Sequence, residues 1–337
     1  MIFFRSDYSQ GAHPKVLEAI VNTNLEHSDG YGEDEHCRNA AQIIKKQIGN
    51  EDADVHFFVG GTPANFTSIA AFLRPHEAVV APRSSHIYTH ETGAVEAAGH
   101  KIVPNVSNDG KLLPRHIEET LLEHEDEHMV KPKLASISNS TEIGTIYTKA
   151  ELTALSETCR KNGLWLYIDG ARLGCALTAP GNDLTLSDIA SLTDAFYIGG
   201  TKNGALFGEA LIITNPRLKP DFRFIMKQQC GLLAKGRLLG VQFEALFNDG
   251  LYFKLAEHSN ALANQLRNGI SSKGYDFLVD SPTNQIFPIM PNALVEKLEK
   301  KYFFYRWKPM GEDKICIRLV TSWGSSEEDV ISFLNDI

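Results

Sequence analysis

In Leu164-Trp165-Leu166-Tyr167-Ile168-Asp169-Gly170-Ala171-Arg172 a five-residue apolar run, 164–168, leads into an acid. A run that is apolar at every position, not at alternate ones, suits a strand buried on both faces, as in a parallel sheet covered by helices. The acid then falls at the carboxyl end of that strand, where open α/β sheets bind ligands. Similar short runs lie at 55–59, 78–81, 101–104, 134–138, 195–198 and 210–214, with helical patterns at 62–73, 114–122 and 149–162 between them. Such alternation implies right-handed crossovers, so the expected class is α/β: a mainly parallel sheet flanked by helices. From 216 the pattern turns to long helices, over 216–247 and 251–272. Strands are then expected at 287–289, 302–307 and 315–320, and Ser325-Ser326-Glu327-Glu328 signals a final helix with hydroxyl caps and acids in its first turn. The expected division is a large domain over 1–247, N-terminal arm included, and a smaller C-terminal α+β domain over 248–337, joined by a long helix near 220–250.

The 337 residues carry 33 basic and 42 acidic side chains, a net charge of −9 with no basic arm, which argues against a nucleic-acid partner. Met1-Ile2-Phe3-Phe4-Arg5-Ser6-Asp7 lacks the apolar core of a secretory signal, and no run of about 18 apolar residues suggests a membrane span. The five cysteines, at 37, 159, 175, 230 and 316, show neither metal spacing nor a disulfide framework. A cytoplasmic enzyme is therefore expected.

Four features carry chemistry. Lys202, in Phe196-Tyr197-Ile198-Gly199-Gly200-Thr201-Lys202-Asn203-Gly204-Ala205-Leu206-Phe207, is the only charged residue between Asp194 and Glu209. A lysine shielded from water has a lowered pKa and can act as a Schiff-base amine; the alternative is a strand-end lysine snorkelling to solvent. Asp169 is either an N-cap or an anion held beside a cationic ring nitrogen, and Arg172 could fork a carboxylate or pair with Asp169. Gly60-Gly61-Thr62-Pro63-Ala64-Asn65 ends a strand and opens a helix whose free N–H groups suit a phosphate. Arg318 is the single charge in Ile315-Cys316-Ile317-Arg318-Leu319-Val320, so it either pairs internally or awaits an anion. His86 and His90 are four residues apart, but no third metal ligand accompanies them. His124-Glu125-Asp126-Glu127-His128 matches a zinc-protease pattern literally, yet its acidic surroundings give such a helix no apolar face. A solvated helix end is expected there, and no metal.

In order and spacing, the phosphate-type turn, the strand-end acid and the shielded lysine 33 positions later resemble the fold-type I pyridoxal-phosphate enzymes. More narrowly, the chain resembles the low-specificity L-threonine aldolase group of the aromatic amino acid β-eliminating lyase/threonine aldolase family. The resemblance rests on Arg5-Ser6-Asp7, Tyr31-Gly32-Glu33-Asp34, Gly61-Thr62-x-Ala64-Asn65, Ser85-His86-Ile87-Tyr88, Asp169-Gly170-Ala171-Arg172-Leu173, Gly200-Thr201-Lys202-Asn203-Gly204 and Arg318-Leu319-Val320-Thr321-Ser322-Trp323. It implies that Lys202 carries pyridoxal 5'-phosphate as a Schiff base and that Asp169 keeps the ring nitrogen protonated. His86 would stack on the ring, while Gly60, Gly61, Thr62, Thr201 and Arg172 would complete the cofactor site. Ser6, Arg172 and Arg318 would take the substrate carboxylate, and Tyr31 would complete a site across the interface of a homodimer or homotetramer.

The implied reaction cleaves a β-hydroxy-α-amino acid of the threonine type to glycine and an aldehyde, with His86, His128 or a water as base. Two departures stand out. The Gly-Gly-x-x-Arg turn of many members is replaced by a stretch in which only Lys235 or Arg237 could supply the cation. Ser138-Asn139 stands where Glu-Asn is usual. Open alternatives are β-elimination or transamination on the same scaffold; a nicotinamide enzyme is disfavoured by the missing Gly-x-Gly-x-x-Gly.

Overall fold

A computed structural model describes all 337 residues. After a short strand β1 (Ile2–Phe3), seven strands form the central sheet: β2 (Asp54–Phe58), β3 (Glu77–Pro82), β4 (Lys101–Asn105), β5 (Lys131–Ser138), β6 (Trp165–Asp169), β7 (Ala195–Gly199) and β8 (Glu209–Ile213). Their order is β2-β8-β7-β6-β5-β3-β4. Only β8 runs antiparallel to its neighbours; the other pairs are parallel. All seven coincide, within a few residues at each end, with the apolar runs of the sequence.

Side-chain alternation splits the core between the two faces of this sheet. Leu166, Ile168, Phe196 and Ile198 enter one cluster, whereas Tyr167, Ala195 and Tyr197 enter the other. Asp169 continues the Tyr167 face, so its carboxyl emerges toward the helix Gly61–Phe72, whose Ala64, Ile69 and Phe72 pack on that face. Truncating a fully buried residue such as Ile168 to Ala would cost about 2–5 kcal/mol.

The smaller unit holds β9 (Gln285–Ile286), β10 (Ile289–Pro291), β11 (Tyr302–Phe303), β12 (Tyr305–Pro309) and β13 (Lys314–Val320). Strand β13 is central, flanked by β10 and β12 and joined at its end by β9. Ser326 caps the last helix, Glu327–Asp336, by accepting a hydrogen bond from the Asp329 N–H (3.2 Å). The N-terminal arm belongs here in space: β1 pairs with β11, and Phe4 is buried with Leu266, Ile317 and Phe333.

The long connecting helix is not where the sequence placed it. Residues 216–247 form a single 3-10 turn (Pro216–Leu218) and two separate helices, Phe222–Gln228 and Arg237–Phe247. Cys230 turns left-handed (φ 61°), and Gly231 lies so close to Phe58 that a Cβ would sit 2.8 Å from its ring. The long helix is Leu251–Ser272, separated from its predecessor by the left-handed pair Asp249-Gly250. No helix is long and apolar enough to cross a membrane.

Candidate active site

The carboxyl ends of β5, β6 and β7 open onto two joined chambers. An inner one of about 220 Å³ and an outer one of about 420 Å³ share Lys202, His86, Arg172, Glu142 and Tyr8. The inner chamber includes Gly60, Gly61, Thr62, Asp169, Ser140 and Thr201. The outer one is walled by Arg318, His90, Gln285, Tyr305 and Trp307.

In the inner chamber Asp169 is held from three sides. Its Oδ1 accepts from the Tyr197 hydroxyl (2.5 Å) and the Ala171 N–H (3.0 Å), and its Oδ2 from Asn65 Nδ2 (2.8 Å). The close crossing behind it requires a glycine: a Cβ on Gly170 would lie 1.7 Å from the Tyr197 carbonyl oxygen. Gly60 approaches the helix Gly61–Phe72 in extended conformation with no side-chain cap. The Gly61 and Thr62 N–H groups have no protein partner, and the Ser140 hydroxyl is buried without one. These donors, at the positive end of a 12-residue helix, form a cradle for a phosphate. The same chamber holds Asp169, an acid suited to a cationic ring nitrogen, and the amine of Lys202. This donor set fits pyridoxal phosphate.

Lys202 lies in the turn between β7 and β8 and makes no ion pair or hydrogen bond through Nζ. Burial, reinforced by the charge of Arg172, pushes its ammonium below the usual lysine range, against the pull of Asp7, Asp169 and Glu209. Glu209, which accepts from the Gly200 N–H (2.9 Å), is itself pushed up by burial.

The two arginines differ. Arg172 pairs with neither Asp169 nor open space: its Nε and Nη2 fork onto Asp7 at 2.6 and 3.0 Å, and Asn284 Nδ2 donates to the same carboxylate at 2.9 Å. Burial opposes both charges, but each holds the other ionised, raising Arg172 and lowering Asp7 from their ordinary values. Arg318 has no carboxylate partner. Its Nη2 donates weakly to the Arg5 carbonyl (3.3 Å), its Nε has no partner, and its guanidinium lies 4.9 and 5.2 Å from the rings of Tyr305 and Trp307. Of the two readings of Arg318, the internal ion pair is not formed: no carboxylate lies within salt-bridge distance of its guanidinium. Gln285 pairs with Val320 across the strands, on the same face as Arg318, and neither end of its buried amide has a partner.

His86 opens a short helical turn (His86–Thr89). Its Nδ1 meets Glu91 Oε1 at 2.8 Å, its backbone N–H donates to Glu142 Oε1 at 2.9 Å, and the His90 ring is 5.6 Å away. Glu142, also bound by the Ser138 hydroxyl (2.7 Å), is pushed up by burial.

Other expected site residues lie outside the chambers. Ser6 bonds Ser9 (2.8 Å) in a separate depression beside Gln10 and Ser322. Tyr31 is 45% exposed with Lys227 Nζ 4.3 Å from its ring, next to the 232–236 loop. Arg237 holds the Thr23 and Asn24 carbonyls, and neither it nor Lys235 lines a chamber. The helix before His124 ends at Glu123, so His124 and His128 do not share a helical face; His128 is exposed and lines neither chamber. Sequence reasoning assigned no role to Asp7, Asn65, Glu91, Glu142, Tyr197, Glu209 or Gln285. Asp7 and Asn65 stood inside the quoted motifs, but the contacts that give them roles span 165 and 104 positions.

A family model described as beta-eliminating lyase matches residues 4–292. The chain belongs to this family. Beta-eliminating lyases of this kind are pyridoxal-phosphate enzymes, so the protein is a lyase on the fold-type I scaffold. The chain is 32% identical over 338 aligned positions to a low specificity L-threonine aldolase of Pseudomonas sp., covering 99% of this chain and 96% of that one. It is 27% identical to one of Saccharomyces cerevisiae, covering 91% and 79%. Among solved structures, Leishmania major threonine aldolase superposes with a TM-score of 0.98 at 48% identity, covering 99% and 98%. A Thermus thermophilus aspartate aminotransferase, at 16% identity and TM-score 0.74, shares the fold alone.

Proposed function

We propose that the protein holds pyridoxal phosphate on Lys202 and cleaves β-hydroxy-α-amino acids of the threonine type to glycine and an aldehyde. The observation that carries this reading is Lys202 itself. It is a shielded, unpaired amine, placed where a chamber fitted for an aromatic cation and a phosphate meets one with a free arginine. Gly61, Thr62 and Ser140 hold the phosphate, and Asp169 faces the ring nitrogen. When bound, the cofactor supplies a sink for the electrons of the broken Cα–Cβ bond. Arg318 and Gln285 take the substrate carboxylate, because Arg318 Nε and Gln285 Nε2 are donors of the outer chamber without a protein partner. Arg172, neutralised by Asp7, shapes the wall between the chambers. His86 takes the β-hydroxyl proton through Nε2, the ring nitrogen without a protein partner.

Tyr31, the 232–236 loop and the exposed Phe224 group on an outer face away from this chain's own chambers. Together with the relatives' shared scaffold, this supports a homo-oligomer in which that face meets a second copy; sedimentation would show a dimer or tetramer. The five unpaired cysteines fit a reducing, cytoplasmic setting. Product analysis tests the reaction. Threonine should give glycine and acetaldehyde, whereas pyruvate and ammonia from serine or cysteine, with no glycine from threonine, would make the enzyme a β-eliminase instead.

A further inference from the structure

Glu91 is a buried carboxylate, its side chain fully enclosed, and it touches no lysine or arginine. One oxygen, Oε1, takes two hydrogen bonds, from His86 Nδ1 (2.8 Å) and from Asn65 Nδ2 (2.8 Å), while Oε2 has no partner. The same Asn65 nitrogen gives its other hydrogen to Asp169 Oδ2 (2.8 Å), and the Tyr167 hydroxyl donates to Asn65 Oδ1 (3.0 Å). Asn65 is fully buried. With its two N–H bonds directed at two carboxylates and its carbonyl occupied by Tyr167, it has one orientation. The result is an unbroken chain, His86–Glu91–Asn65–Asp169–Tyr197, running beneath the inner chamber.

Chemistry fixes the protons along this chain. A carboxylate accepts and does not donate, so the His86–Glu91 bond requires the imidazole hydrogen on Nδ1. In the neutral ring that leaves the lone pair on Nε2, the nitrogen free of protein contacts. In metal sites and in acid–base catalysis a carboxylate behind an imidazole sets its tautomer and orientation in this way. We propose that Glu91 is the positioning residue that makes His86 a base at Nε2, and that Asn65 is the bridge that holds Glu91 and Asp169, two like charges, at fixed places. This rests on the reading of His86 as the base for the β-hydroxyl proton. It assigns separate tasks: Glu91 acts on proton transfer, Asn65 on the anchoring of Asp169 against the cofactor ring.

The test uses the full chain with and without pyridoxal phosphate. Nitrogen-15 NMR of the His86 ring should show the Nδ1–H tautomer in the native protein. In Glu91→Gln, whose amide can donate as well as accept, the Nε2–H form should appear. In the same variant kcat for threonine cleavage should fall about a hundredfold, with KM and cofactor affinity within about twofold of the native values. Asn65→Leu should weaken cofactor binding about tenfold while His86 keeps its tautomer. A native His86 protonated on Nε2, or a Glu91→Gln enzyme with undiminished kcat, would overturn the proposal. So would a Glu91→Gln enzyme that loses cofactor in step with activity, because the residue would then be merely structural. If native protein cleaved no threonine while the NMR result held, the reading of the reaction would have failed and not the tautomer assignment.

Discussion

The two chambers are built on opposite plans. In the inner one the charged groups of the walls other than Lys202 are held by the protein, Asp169 by Tyr197, Ala171 and Asn65, and Arg172 by Asp7. In the outer one Arg318 has no carboxylate and its Nε no partner, and both ends of the Gln285 amide are unpaired. A site for a resident group can be locked before the group arrives, because the group is the same at every turnover. A site for substrate must keep its recognition groups free, since a donor already paired inside the protein contributes little to binding. Lys202 belongs to both chambers, which is where the proposed function needs an amine that holds the cofactor and meets the substrate.

Lys202→Ala would break the link between the chambers. Activity should fall to background and the protein, freed of unbound cofactor after incubation with it, should show no Schiff-base absorbance, with secondary structure by circular dichroism unchanged. Next in size, Arg172→Leu should cost about 3–5 kcal/mol of stability in urea unfolding, because it leaves the Asp7 carboxylate buried without its partner. Adding Asp7→Asn to that variant should restore much of the loss. Were the single variant as stable as the native protein, the inner chamber would not be the locked half. Arg318→Leu is the matched substitution in the outer chamber and should behave oppositely. Unfolding should be nearly unchanged and cofactor retained, while kcat/KM falls about tenfold to a hundredfold, mostly through KM. Loss of cofactor in this variant would mean that Arg318 serves the inner chamber after all.

The smallest effect concerns acid. Asp7 has a carboxyl held below its ordinary 3.8 by Arg172 and Lys202 in spite of burial. Below that ordinary value the unfolded chain binds the proton first, so stability rises with pH across the window. The pair's contribution is therefore full above about pH 4 and is lost as pH falls through the lowered folded value. Native protein should show this extra loss in acid unfolding, and Asp7→Asn should lack it.

The contrast between the chambers also marks what the sequence could disclose. The seven sheet strands were legible because each contains a short, mostly apolar run set between helical patterns. Lys202 was legible because its flanks leave no other charge to explain it. The partner of Arg172 was not, since Asp7 arrives on an arm that folds against the C-terminal unit. Nothing local marks such a contact. The break at 229–236 was missed because Cys230, an unremarkable residue in a helical pattern, turns left-handed before a glycine pressed on Phe58. Ser6 and His128 were expected at the site through motif position alone, and the structure puts both outside the chambers. His86 and Arg318 both line the chambers, yet the contact of His86 with Glu91 and the lack of a carboxylate beside Arg318 are properties of the folded chain.

The central claim is that Lys202 is the amine that carries the cofactor. Borohydride reduction of the purified protein, as isolated and after addition of pyridoxal phosphate, followed by peptide mapping, tests it directly. The account predicts one pyridoxyl adduct, on the peptide containing Lys202, and none in Lys202→Ala. An adduct on another lysine, or none on the native protein in either condition, would contradict it.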